Sequence, residues 1–534
     1  MRRYCDDLAA DGWRPRLMAA QVYAGTAHQD GCTLLAMRRF LQAVSKADAS
    51  LAGAVLVGSF PEAMLVRSCN WRRNDEAVLF AGTPRQQRFP WPAPQLRTQA
   101  ELVAVRCELV LCDLDGNWEE RYLQPRTPLP SLLALFPGGV PAHGGLSAAF
   151  EIASTTFEDF FYVNDGQYMA RVIQTPTGEL LDVKTLDDRR DEECAPHDLA
   201  APNPLAQPDI VVSRINARGV ALSPRSDIRG ASGEGLLDAD GTPQRVSFAR
   251  REDLPRETFV FDSALERRLL LEYFDRNHRY RKGAMTGQHR PAGISYALRD
   301  GFQEVLGAAQ NWSDASPDDL YIRQANLADY TEWLTYPAVL RDIRAHSYEW
   351  GSDFGRCRTE DLEKATGPAW YWLPRGTELI PTLSRFARSG RANFYLYRSL
   401  WANGRLPDGA SVYYHTGCDS ISPGNAETHP YNHPAYSWMQ GAESLLFYCN
   451  GLALVGRSKV FYDAPRGFYD ALAQGKTIGE AWREYFRIES QAAGWREVGG
   501  DIGRKRSYFW SILGDWTLTL RPSNNRPLSA PSSG

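Results

Sequence analysis

A cysteine and a histidine each follow a short stretch with strand preference in this sequence. Cys418 comes shortly after residues 411–415 (SVYYH), and His346 directly follows residues 340–345 (LRDIRA). A third stretch of this kind, residues 451–456 (GLALVG), is bounded by glycines. In open α/β sheets, ligands bind beyond the carboxyl ends of the strands. The pattern therefore predicts that Cys418 and His346 sit at a functional edge of a parallel sheet.

A thiol beside an imidazole is suited to acyl transfer. The thiolate attacks a carbonyl, and the imidazolium lowers the pKa of the thiol and gives its proton to the leaving amine. The backbone N–H groups of Cys418 and Ser347 would bind the developing oxyanion. His415 is a rival base, but alternation along a strand turns its side chain away from Cys418. A third group that orients His346 is not identifiable.

Each member of the pair also has a simpler interpretation. Cys418 could be one more buried thiol, since free cysteine is among the most buried residue types. His346 could be a polar residue at the end of a strand. Nearby side chains that would contact a substrate are Glu349, Trp350, Asp353 and Asp419. Trp350 belongs to an aromatic cluster with Trp370 and Trp372, which is more typical of a core or a pocket wall than of a binding platform.

One acidic turn has the character of a calcium site. Asp113, Asp115 and Asn117 place three side-chain oxygens at alternate positions around a glycine. Such oxygens are the ligands that calcium prefers, although the length is wrong for an EF-hand. A turn rich in Asp and Asn explains the same pattern equally well. We therefore expect no required cofactor, with structural calcium as the one candidate.

A second metal set is weaker. His429 and His433 could bind a metal together with Asp419 or Glu427. The two histidines lie in a proline-broken segment and not on one face of a helix, so this interpretation is disfavoured.

The composition excludes several classes of protein. With 534 residues, 43% hydrophobic and 23% charged, the chain is an ordinary globular protein too long for one core. A net charge of −4 gives no reason to expect nucleic-acid binding. No apolar run approaches the roughly 20 residues of a membrane span.

The cysteines and the N-terminus bear on the compartment. The nine cysteines are scattered, and none forms a Cys-x-x-Cys pair, which disfavours zinc ribbons and thioredoxin-type motifs. The N-terminus has no signal-peptide pattern, so we expect a reduced, cytoplasmic protein. A secreted protein whose leader has been removed would show the same features.

The order of elements predicts an α/β protein. A strand at 15–23, a helix at 32–47 and a strand at 52–58 form a βαβ unit, which favours a parallel sheet. Two subdomains with mostly parallel sheets are expected, and the second carries the site. Their predicted limits are 1–222 for the first, 223–256 for an exposed connecting loop open to nicking, 257–522 for the second, and 523–534 for a disordered tail.

Several short motifs, taken in order, resemble the gingipain-type cysteine peptidases, relatives of the caspases in the caspase-haemoglobinase fold (clan CD). Each is short, and their shared order over about residues 50–520 is the stronger signal. The matching pieces are 55–58 (VLVG), 112–119 (CDLDGNWE), 208–215 (PDIVVSRI), Cys418 with 440–446 (QGAESLL) and 451–458 (GLALVGRS), and 478–481 (IGEA) with 513–518 (LGDWTL).

The resemblance implies a caspase-like three-layer α/β/α fold and a cysteine endopeptidase. Cys418 and His346 would form a catalytic dyad that cleaves a peptide or protein substrate through a thioester acyl-enzyme. The histidine precedes the cysteine, as in the caspases, although the gap is longer here. The family has Gly after the histidine, where this chain has Ser347, and Pro where it has Trp516.

Ser347 supports a competing hypothesis. A catalytically inactive scaffold of the same fold would bind a peptide or partner protein without cleaving it. A calcium-dependent binding module built on Asp113, Asp115 and Asn117 is a third possibility.

Overall fold

The fold is described from a computed structural model of the chain. The described residues are 1–20, 31–60, 62–72, 98–116, 118–121, 160–164, 172–174, 180–182, 207–224, 259–285, 291–296, 321–323, 326–345, 347–348, 351–352, 354, 357–367, 378–379, 391–417, 420–421, 441–457, 467–491 and 510–520.

The strands within these residues are numbered in chain order. They are β1 Gly53–Val57, β2 Glu62–Arg72, β3 Thr98–Arg106, β4 Phe160–Asn164, β5 Val172–Gln174, β6 Leu180–Asp182, β7 Val211–Ile215, β8 Leu222–Pro224, β9 Phe259–Phe261, β10 Pro291–Tyr296, β11 Tyr321–Arg323, β12 Leu340–Ala345, β13 Ser347–Tyr348, β14 Gly351–Ser352, β15 Cys357–Arg358, β16 Glu378–Leu379, β17 Ser411–His415, β18 Gly451–Arg457 and β19 Trp510–Gly514.

The helices are numbered in the same way. They are α1 Arg2–Ala10, α2 Gly31–Ala47, α3 Leu109–Cys112, α4 Ser263–Arg281, α5 Leu327–Thr335, α6 Thr359–Thr366, α7 Arg391–Ala402, α8 Gly441–Tyr448, α9 Phe468–Ala473 and α10 Ile478–Gln491, with a 3₁₀ helix at Trp118–Arg121. Within the described part of the chain, no helix is both long and apolar enough to cross a membrane.

An eight-stranded sheet forms the centre of the described structure, in the order β1-β7-β19-β18-β17-β12-β10-β11. Neighbours from β11 through β10, β12 and β17 to β18 pair in parallel, and so do β1 and β7. β18 and β19 pair antiparallel. The predicted α/β class with a mostly parallel sheet is confirmed.

Hydrophobic cores cover both faces of this sheet. In β17, Val412 and Tyr414 belong to one core, whereas Tyr413 between them belongs to the other. The first core includes side chains of α2, α9 and α10, and the second includes side chains of α4, α5, α7 and α8. Because every residue of β17 and β18 is buried, these strands appear in the sequence as runs without polar alternation. The arrangement is a three-layer α/β/α sandwich, as predicted.

The sheet crosses the predicted subdomain limits. β1 and β7 come from the predicted N-terminal subdomain, and they join strands of the predicted second subdomain where Arg214 lies opposite Leu513. β8 enters the predicted connecting loop and pairs with β9. The rest of that loop from residue 225 to 256, and the predicted tail, lie outside the described residues. The division into subdomains stays a prediction.

Two local predictions differ from the structure. Residues 15–20 of the predicted strand 15–23 have no regular structure. The sequence of residues 101–112 (ELVAVRCELVLC) predicts one strand, but β3 ends at Arg106 and the chain continues as the short helix α3. Residues 16–20 are exposed and gain no burial from strand formation, whereas residues 109–112 are buried and their packing outweighs strand preference.

Candidate functional site

β12 and β17, the strands that precede His346 and Cys418, are parallel neighbours. Leu340 lies opposite Val412, and Ile343 lies opposite His415. The pairing continues past β17, because the N–H and the hydroxyl of Thr416 both donate to the carbonyl oxygen of Ile343, each at 3.0 Å. The carboxyl ends of the two strands therefore lie side by side.

The structure describes three of the predicted site residues, Ser347, Asp113 and Asp115. It also describes the chain neighbours of the predicted dyad, Ala345 and Gly417. The predicted residues outside the described part are His346, Cys418, Glu349, Trp350, Asp353, Asp419 and Asn117, and the same holds for Trp370, Trp372, Glu427, His429 and His433.

Gly417 and Ser347 are in close contact at these strand ends. A Cβ atom added to Gly417 would lie 2.2 Å from Oγ of Ser347 and 2.5 Å from its Cβ. Real Cβ atoms essentially never approach other heavy atoms so closely. Position 417 therefore requires glycine as long as Ser347 keeps its place.

Ser347 is buried, and its hydroxyl group is bonded within the protein. Its side chain donates to the carbonyl oxygen of Ala345 at 3.0 Å and lies 3.0 Å from Oγ of Ser352. Ser347 and Ser352 also face each other in the short antiparallel pair of β13 and β14. The side chain of Ser347 is therefore packed inside the protein and makes its polar contacts there.

His415, the last residue of β17, is buried, and both of its ring nitrogens are hydrogen-bonded. The N–H of Gly417 donates to Nδ1 at 3.1 Å, so Nδ1 carries no proton. Nε2 therefore carries the proton and donates to Oγ of Ser352 at 3.0 Å. Burial, assisted by the charge of Arg457, lowers the pKa of His415 to about 3. His415 is thus neutral and has no free lone pair with which to act as a base.

Arg457, the last residue of β18, holds the chain on both sides of residues 418–419. Its Nε donates to the carbonyl oxygen of Gly417 at 3.3 Å. Its backbone N–H donates to Oγ of Ser420 at 3.1 Å. Oγ of Ser420 donates in turn to the carbonyl oxygen of Arg457 at 3.2 Å and lies 3.3 Å from the carbonyl oxygen of His415. The segment around the predicted nucleophile is therefore fixed at both ends.

The acidic turn gains a carboxylate that the sequence pattern does not reveal. Asp113, Asp115 and Asp209 each offer an oxygen, and these oxygens lie within 4.8 Å of one another. Burial, followed by a hydrogen bond with Asp115, raises the pKa of Asp113 to about 7. Oδ2 of Asp113 accepts from the indole N–H of Trp118 at 2.8 Å. Three convergent carboxylates fit a hard divalent cation such as calcium.

The same turn is also held by a buried arginine. The guanidinium of Arg38 donates to the carbonyl oxygens of Leu114 at 3.0 Å and of Gly116 at 2.6 Å. It also pairs with Glu119 at 3.0 Å. Arg38 therefore binds backbone oxygens that would otherwise be open to a cation, so the alternative of a turn without metal has a structural basis.

Sequence reasoning missed Asp209, Arg457 and the partners of His415. Asp209 lies far along the chain from the acidic turn, and no local pattern links them. The glycine directly before Cys418 was a usable signal, because a glycine beside a candidate nucleophile indicates a close approach of another chain segment.

No family model matches the chain, and no curated protein matches it. Similar solved structures include one described as a protease, with 13% identity and a TM-score of 0.31 over 63% of this chain and 62% of that one. Another is the Arg-specific cysteine proteinase gingipain R, with 11% identity and a TM-score of 0.30 over 61% of this chain and 60% of that one.

A third is the complex of the pro- and mature domains of RgpB from Porphyromonas gingivalis, with 10% identity and a TM-score of 0.40 over 96% of this chain and 75% of that one. The matches cover about three fifths of the length of the first two structures. These similarities are distant, and they do not identify site residues.

The contact between Gly417 and Ser347 predicts how substitutions at these positions combine. We expect Gly417→Ala to lower the free energy of unfolding by about 1–3 kcal/mol, because the added methyl group overlaps Ser347. Combined with Ser347→Gly, the same change should cost less, since the overlap with Ser347 is removed and only that with Cε1 of His415, at 2.6 Å, remains. Denaturant unfolding of the four proteins of a double-mutant cycle measures this coupling. Ser352→Ala is the matched control background, in which Gly417→Ala should keep its full cost.

The buried neutral His415 predicts a specific pH dependence of stability. As the pH falls below about 6.5, the unfolded imidazole takes up a proton, whereas the folded one stays neutral until the pH approaches about 3. The contribution of His415 to stability should therefore fall with the pH across this window. Between pH 7 and pH 5, we expect wild type to lose roughly 2 kcal/mol more than His415→Gln, measured by urea unfolding. Equal losses in both proteins would show that His415 is not held neutral.

Proposed function

We propose that this chain is a cysteine endopeptidase with Cys418 as nucleophile and His346 as its proton-transfer partner. The observation that supports it best is the contact between Gly417 and Ser347, which are the immediate chain neighbours of the two residues. Consecutive Cα atoms are about 3.8 Å apart, so this contact limits the distance between Cys418 and His346. The parallel register of β12 and β17 supports the same proximity.

The proposed reaction has two steps. The thiolate of Cys418 attacks the peptide carbonyl carbon, and the tetrahedral intermediate breaks to a thioester as His346 protonates the leaving amine. His346 then takes a proton from water, which attacks the thioester and releases the carboxylic acid and the thiolate of Cys418, restoring the thiolate and the imidazolium. The backbone N–H groups of Cys418 and Ser347 would stabilise the oxyanion in both steps. Contacts of Glu349, Trp350, Asp353 and Asp419 with the substrate stay predictions.

A second candidate function is peptide or protein binding without cleavage. It is favoured by Ser347, whose buried side chain occupies the position at which gingipain-type peptidases carry glycine. In that case the same sheet edge would bind an extended peptide, and Cys418 would react like an ordinary thiol.

The two functions are separated by the reactivity of Cys418. We expect iodoacetamide to alkylate Cys418 fastest of the nine cysteines, with an apparent pKa below the value of about 8.5 of a free thiol. The apparent pKa should rise in His346→Ala, which lacks the imidazolium. Alkylation rates against pH, mapped by mass spectrometry, measure both effects.

Cys449 is the internal control for this measurement. It is buried, and burial raises the pKa of its thiol, so it should stay unreactive in the folded protein. If Cys418 reacts as slowly as Cys449, the peptidase proposal fails and the binding scaffold takes its place. Peptide hydrolysis that persists in Cys418→Ala would exclude Cys418 as the nucleophile.

We also propose that a structural calcium ion binds between Asp113, Asp115 and Asp209, supported by the proximity of their carboxylate oxygens. Binding to the folded state alone raises stability with ligand concentration. We expect millimolar calcium to raise the melting temperature above its value in EGTA, and Asp209→Asn to abolish this shift. An equal melting temperature with and without calcium would leave Arg38 as the group that holds the turn.

A further inference from the structure

We propose that His415 and Arg457 are positioning residues that orient the peptide group between Gly417 and Cys418. We call this pair the Gly417 clamp. The inference rests on the proposed peptidase function, and it assigns to the pair the task of holding one oxyanion donor in place.

The first half of the clamp acts on the N–H of Gly417. Nδ1 of His415 accepts this hydrogen at 3.1 Å, which fixes the peptide group that enters Gly417. Glycine has the widest conformational freedom of all residues, so a free Gly417 would let the following residue adopt many directions. The bond to His415 removes part of that freedom just before Cys418.

The second half of the clamp acts on the carbonyl oxygen of Gly417. Nε of Arg457 donates to this oxygen at 3.3 Å. The carbonyl of Gly417 and the N–H of Cys418 belong to one planar, trans peptide group, in which they point in opposite directions. Fixing the carbonyl towards Arg457 therefore fixes the N–H of Cys418 on the side away from Arg457. A charged donor on the carbonyl also polarises the amide and strengthens its N–H as a donor.

Both clamp residues are themselves held by buried contacts. Nε2 of His415 donates to Ser352, whose own carbonyl oxygen accepts from Nδ2 of Asn393 at 3.0 Å. Arg457 ends a fully buried strand, and its backbone N–H and carbonyl oxygen both bond to Oγ of Ser420. A donor held in this way needs little reorganisation when negative charge develops on the substrate. Loss of one such donor typically costs about 10²–10³-fold in kcat.

Paired variants separate the clamp from simple structural support. His415→Phe keeps a flat ring but cannot accept from Gly417, whereas His415→Gln offers both an acceptor and a donor. Arg457→Met removes the donor, and Arg457→Lys restores a charged one. For each variant, kcat and KM are measured on a peptide substrate, and the alkylation of Cys418 by iodoacetamide is measured in parallel. Alkylation develops no oxyanion, so it reports on the thiol alone.

We expect His415→Phe and Arg457→Met to lower kcat by about 10-fold to 100-fold, with KM and the alkylation rate of Cys418 within about 2-fold of wild type. His415→Gln and Arg457→Lys should recover most of kcat. Cys449 becomes reactive only on unfolding, so its alkylation identifies any variant that fails to fold. If the variants of one clamp residue fail to fold, the variants of the other clamp residue test the proposal.

Two contrary outcomes are distinguishable. If wild type hydrolyses the peptide and all four variants keep its kcat, the clamp proposal is overturned and the peptidase function stands. The clamp proposal is equally overturned if kcat and the alkylation rate fall together, because the clamp then acts on the thiol. If Cys418 of wild type is unreactive and no peptide is cleaved, both proposals fail.

Discussion

The parallel pairing of β12 with β17, which ends at the contact between Gly417 and Ser347, is the constraint on which the rest of the site depends. Side chains alternate along a strand, so a slip of one residue would exchange the two faces of β17. The observed register buries Tyr413 and Tyr414 in opposite cores. It also buries His415 at the end of β17, where its ring bonds to Ser352 and Gly417. One register therefore fixes the packing of the sheet and the position of the imidazole.

The central strands and several helices could be predicted because their signals are local. β17 and β18 appear as short runs of residues with strand preference, and the apolar spacing of α2 and α4 matches one face of a helix. The joining of β7 to β19 in one sheet could not be predicted, because it depends on contacts between residues some three hundred positions apart. β3 ended early for a similar reason, since the contacts of α3 outweigh strand preference.

The candidate site was predictable in its parts but not in its connections. Alternation predicted that the His415 side chain turns away from Cys418, and this stays a prediction because Cys418 lies outside the described residues; alternation gave no sign of the two bonds that keep the imidazole neutral. Arg457 had no signal, because a buried arginine acquires its role from the carbonyl oxygen that it meets. The acidic turn was recognised from its spacing, whereas Asp209 entered it only through folding.

The contact between positions 347 and 417 has a meaning for how such sequences are compared. The space beside Gly417 is filled by the side chain of Ser347 from the neighbouring strand and by the ring of His415, since a Cβ atom at 417 would lie 2.2 Å from Oγ of Ser347 and 2.6 Å from Cε1 of His415. Glycine at position 347 would relieve only the first of these two overlaps, so the glycine at 417 answers to both neighbours. A sequence pattern that considers one of these strands alone describes only part of this arrangement. The identity of each residue has to be judged together with its neighbour across the strands.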